Sequence, residues 1–114
     1  MRVLRTLPGT ALATIAALLI GSPAFAQVDA EAAQSLAKKS NCLKCHSVSA
    51  KKEGPPFKET AAKYKGKADG EQKLYVHLTT GPKVKVDGKE EEHDNVKSKN
   101  ESEVRNVVKW ILVQ

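Results

Sequence analysis

The chain has 114 residues, 19 Lys and Arg against 13 Asp and Glu, a formal net charge of +6, and only one Trp, two Tyr and two Phe. That length leaves room for one small domain. Scattered lysines with so few aromatic rings exclude a base-stacking nucleic-acid surface.

The first 26 residues read as a leader. Arg2 and Arg5 give a positive start, Ala11 to Ile20 is an unbroken run of apolar residues and threonine, and Gly21-Ser22-Pro23 breaks the helix. Ala24-Phe25-Ala26 then offers the small-x-small pattern a signal peptidase cuts after. The run falls short of the roughly 20 apolar residues that a membrane helix needs, so an uncleaved anchor is the weaker reading. No cysteine stands directly after the cut, and nothing suggests a lipid anchor. Residues 27–114 form the expected mature domain: 88 residues, with 17 basic and 13 acidic side chains once Arg2 and Arg5 are removed, a mild +4. A domain this small is marginal on its own core and needs apolar bulk from elsewhere.

The spacing predicts a helix over Asp29 to Lys39, with Asp29 as cap, Ala32, Ala33, Leu36 and Ala37 on one face, and Lys38-Lys39 at the negative end of the dipole. Asn41 suits a left-handed terminator. Ser47 to Pro56 reads as a loop, Lys58 to Tyr64 as a short helix, Gly66 to Gly70 as turns, and Glu71 to Thr80 as a third helix stopped by Gly81 and Pro82. Lys83 to Ser98 is polar and irregular; Val84 and Val86 alternate too briefly for a strand. Asn100 and Glu103 resemble a capping box before a final helix whose Val104, Val107, Val108, Ile111 and Leu112 make one apolar stripe. The domain is expected to be all-α.

The residues that carry chemistry are Cys42-Leu43-Lys44-Cys45-His46. Two cysteines separated by two residues, with histidine directly after, can grip one haem at three points: two thioethers to the vinyl groups and an imidazole beneath the iron. A macrocycle held this way would also supply the missing apolar bulk. Three rivals are weaker. A thioredoxin-like pair would want a strand–helix context and an aromatic residue or proline inside the motif. A zinc site from Cys42, Cys45, His77 and His93 wants histidines with three to five residues between them, and these are 16 positions apart in sequence. A plain disulfide closes too small a loop to help stability and leaves His46 unexplained.

With these residues in view, the chain resembles a small class I bacterial cytochrome c of the c551/c5 type. The likeness rests on the helix leading into the pentapeptide, Gly54-Pro55, Ala61-Ala62-Lys63-Tyr64, and Trp110 within Val-Val-Lys-Trp-Ile-Leu, and it covers nearly all of residues 27–114. The resemblance implies a class I cytochrome c fold, about four short helices around one covalent haem c, with the first and last helices crossing. It implies His46 as the proximal iron ligand and the Pro55 carbonyl as acceptor of its N–H.

The family's usual sixth ligand is a methionine, and here the only one is Met1. A His/Met cytochrome is therefore not expected. His93 falls about where that methionine would lie, which makes it the expected second ligand. His77, between Leu74 and Leu78, is expected to face sideways from the third helix. If neither binds, the iron is five-coordinate or held weakly by Asn95 or a lysine. The aromatic residue often present on the family's first helix is replaced near Ala37, so Trp110 is expected to meet smaller partners across a looser terminal-helix interface.

These readings lead to an exported, periplasmic monohaem cytochrome that shuttles single electrons, with redox partner proteins, acidic ones among them, steered by Lys44, Lys51, Lys52 or Lys83. The alternative is a haem protein that binds or senses nitric oxide, carbon monoxide or oxygen through an open distal position. An enzyme is not expected, apart from a role as cytochrome subunit of a larger oxidoreductase. No nucleic acid and no stable membrane insertion after cleavage are expected.

Overall fold

The computed structural model describes residues 27–114 together with Gly9. The expected leader, Gly9 apart, lies outside the described residues. Five helices and one hairpin follow in order: α1 Ala30–Lys39, α2 Cys42–Cys45, α3 Phe57–Tyr64, α4 Gly70–Thr79, β1 Lys83–Val86, β2 Lys89–Glu92 and α5 Glu101–Leu112. The Asp29 carboxylate caps α1 by accepting the Ala32 N–H at 3.0 Å. Asn41 takes the left-handed conformation, φ +62°, which its short polar side chain tolerates, and this turns the chain from α1 into α2. At α5 the Asn100 side chain accepts the Glu103 N–H at 3.2 Å, but Glu103 bonds Ser98 Oγ at 2.6 Å instead of returning to Asn100.

The terminal helices pack closely, contrary to the looser interface expected. Ala33 and Ala37 of α1 and Val104, Val107 and Val108 of α5 are all at most 1% exposed. The small side chains of α1 and the valines of α5 are buried together in one core cluster. Trp110 turns elsewhere and packs edge-on against Phe57, ring centres 5.4 Å apart. A reciprocal amide clamp joins the ends: Asn106 Nδ2 donates to the Asp29 carbonyl at 2.8 Å, and the Asp29 N–H donates to Asn106 Oδ1 at 3.0 Å. Buried Ser40 accepts the Lys97 N–H at 2.8 Å, tying the end of α1 to the segment before α5.

The irregular segment expected after α4 is in fact an antiparallel hairpin. Asp87 and Gly88 both have positive φ, +49° and +78°, the geometry of a two-residue turn matched to strand twist. Lys83 faces Glu92 and Lys85 faces Glu90 across the ladder, so opposite charges set the register on one side. The fold is mostly helical, and the hairpin is its only sheet among the described residues.

Candidate haem-binding site

His46 leaves α2 in extended backbone and is held from three directions. Its Nδ1 lies 2.7 Å from the Pro55 carbonyl oxygen. A carbonyl only accepts, so Nδ1 carries the proton and Nε2 keeps a free lone pair. The imidazole rests on Gly54: a Cβ built there would lie 2.8 Å from Nδ1 and 2.9 Å from Nε2. Phe57 stacks on the ring, centres 5.3 Å apart and planes within 19°. The loop itself is stitched back to the motif by Gly54 N–H to Cys45 O at 2.7 Å and Phe57 N–H to Ser47 O at 2.9 Å. The seat that Gly54 provides was not foreseen from sequence, where the only signal was a glycine ahead of two prolines.

Cys42 and Cys45 are both free thiols. The Cys45 Sγ donates to Glu53 Oε2 at 3.3 Å, and that hydrogen bond pushes its pKa up; burial pushes Cys42 up. Among the described residues, no three His, Cys, Asp or Glu side chains gather in a metal-holding cluster.

Both cysteines and all three histidines line one cavity of about 420 Å³. Across it His93 faces His46, ring centres 6.2 Å apart. His77 stands 4.4 Å from His93, ring centre to ring centre. This corrects the expectation that His77 looks sideways. Leu74 and Leu78 are buried, 6% and 7% exposed, and His77 lies at i+3 from the first, on the border of the same face. Burial, then the neighbouring His93, holds the His77 pKa below its ordinary value; burial, then His46, does the same for His93, with Asp94 opposing. Both are thereby favoured as neutral imidazoles, the form that binds a metal. His93 Nδ1 is buried with no hydrogen-bond partner.

These residues fit a haem. Two free thiols, an imidazole with its outer nitrogen free, and a second imidazole opposite converge on one apolar-lined cavity. A single metal ion held by both imidazoles would need their ring centres roughly 6 Å apart, close to the 6.2 Å found. With His93 in that place, the open-distal alternative gains no support from the geometry.

The known proteins that the chain resembles are cytochromes. The family model for cytochrome c matches residues 30–113. Cytochrome c-552 of Nitrosomonas europaea is 47% identical over 58 residues, 51% of this chain and 52% of that protein. The chain thus spans only about half the length of that relative. Cytochrome c-551 of Pseudomonas aeruginosa is 33% identical over 85 residues, covering 75% of this chain and 79% of its own length. Among solved structures, the class 1 cytochrome MtoD of Sideroxydans lithotrophicus ES-1 superposes with a TM-score of 0.73 at 50% identity, over 76% of this chain and 97% of that one.

Proposed function

The chain belongs to the cytochrome c family, and from that premise we propose that it is a periplasmic monohaem electron carrier whose iron is held between His46 and His93. The observation that carries the ligation is the 6.2 Å separation of two imidazoles across one cavity, in a chain whose only methionine is Met1. Bound there, haem c supplies a one-electron Fe(III)/Fe(II) couple. Cys42 and Cys45 fix the macrocycle, and the Pro55 carbonyl holds His46 in one tautomer and one orientation. Two neutral nitrogen donors would suit both oxidation states, so an electron would come and go with little rearrangement. They favour the ferric state more than a thioether does, which places the potential below that of His/Met relatives.

Export is supported by Arg2, Arg5, the Ala11–Ile20 run and Ala24-Phe25-Ala26, and by covalent haem attachment being chemistry of the extracytoplasmic side. Among the described residues, no helix is long and apolar enough to cross a membrane. The partner face is the haem-motif end. Leu43 is 38% exposed there, next to Lys44, and the Lys52 ammonium bonds the Leu43 carbonyl at 2.7 Å. With Lys51, that surface suits an acidic redox partner. The same site would serve a carrier or the cytochrome subunit of a larger oxidoreductase.

Electron paramagnetic resonance of the ferric holoprotein tests the ligation. His93→Ala is expected to convert a low-spin signal to high spin. An unchanged low-spin signal refutes His93 as ligand.

A further inference from the structure

An imidazole that binds a metal through Nε2 has an Nδ1–H left over, and in metal sites that group almost always finds an acceptor. For His46 the acceptor is Pro55. For His93 no acceptor is in place, although its Nδ1 is buried. We propose that His77 positions His93, accepting the hydrogen bond from His93 Nδ1–H and so fixing the distal ring. This rests on His93 being the distal ligand.

Three observations place His77 in that role. Its ring centre is 4.4 Å from that of His93, with the planes tilted by 53°. A linear N–H···N bond of about 2.9 Å between two imidazoles sets the ring centres about 5 Å apart, so a shift of well under 1 Å with reorientation of the rings closes it. The two histidines also belong to one mechanical unit. The His93 N–H donates to the Pro82 carbonyl at 2.8 Å and the Val96 N–H to the Leu78 carbonyl at 2.9 Å, so backbone bonds at His93 and three residues beyond it tie its segment to α4 and the turn that follows. Finally, His77 sits on a regular helix turn between buried Leu74 and Leu78, which limits its swing. Asp94 also acts on His93, through its backbone and its charge, but closes no hydrogen bond to Nδ1.

A hydrogen bond from Nδ1–H makes the bound imidazole a stronger donor and stabilises ferric iron. Removing the acceptor should therefore raise the midpoint potential. The test compares holoproteins carrying His77→Phe, which keeps a flat ring but accepts nothing, and His77→Gln, whose side-chain carbonyl accepts. His77→Leu replaces the Phe variant if that variant fails to take up haem. The expected result is a higher midpoint potential and shifted ferric g values for Phe or Leu, with Gln close to the unsubstituted protein. Equal shifts in the apolar and Gln variants, or none in either, overturn the proposal. His93→Ala measured alongside separates the two levels. If it stays low-spin, His93 is not the ligand and the premise goes with it; if it turns high-spin while the His77 variants are silent, only the role of His77 is lost.

Discussion

His46 and His93 face each other across one cavity, but the protein holds them by different means. The His46 side is built from helices and a stitched loop, and its ring meets the Pro55 carbonyl, the flat face of Gly54 and the Phe57 ring. The His93 side follows a two-stranded hairpin whose second strand is wholly exposed, and its Nδ1 has no partner. Under the proposed ligation, one ligand is fixed by the haem motif beside it and by packing. The other depends on a small, mostly solvent-facing element, the kind that opens first in local unfolding. On that proposal the His46 wall would set where haem sits, and the His93 wall how it behaves.

The largest expected effect breaks the proximal wall. Gly54→Ala places a methyl group where the imidazole lies, at distances no packed Cβ adopts, so His46 must leave its seat. We expect most covalently bound haem to be lost, read as the pyridine haemochrome per milligram of purified chain. Normal haem content would show that the loop shifts freely and that the seat is unimportant.

The distal wall should tolerate exchange while its chemistry changes. His93→Met is expected to keep haem content and six-coordination but to raise the midpoint potential by on the order of a tenth of a volt or more, since axial choice tunes haem over roughly 0.8 V. Spectroelectrochemistry gives the value, and an unmoved potential would mean that residue 93 does not reach iron.

A gentler perturbation probes the mechanics of the hairpin. Gly88 has φ +78°, so Gly88→Ala costs about 1 kcal/mol in the turn. If departure of His93 gates ligand entry, cyanide should bind the ferric variant about fivefold faster, the rate equivalent of that cost. An unchanged rate would uncouple the hairpin from the ligand.

The smallest effect touches neither wall. Lys44→Glu, Lys51→Glu and Lys52→Glu together should slow oxidation by the hexacyanoferrate(III) anion at low ionic strength. The difference should vanish at high salt as exposed charges are screened. Equal rates at all salt concentrations would move the electron exit elsewhere.

Much of the proximal half was legible because its determinants are local in sequence. Asp29, Asn41 and the Val104–Leu112 stripe act within a few residues of themselves, and the haem motif carries its own spacing. The distal half was read less well. Asp87-Gly88 is a strong two-residue hairpin signal, but the flanking strands are Lys- and Glu-rich, and their pairing comes from charge register instead of an apolar face. His77 was misjudged because it lies at the edge of the buried stripe, where one helical step decides between solvent and cavity. Trp110 was expected to meet α1, yet its partner is Phe57, 53 positions earlier, a contact no local pattern encodes.

The most direct test of the account is the absorption spectrum of the reduced, unsubstituted holoprotein with and without carbon monoxide. Two imidazoles on one iron predict a low-spin six-coordinate spectrum that the gas leaves unchanged. A high-spin spectrum, or one that shifts on adding carbon monoxide, would contradict it.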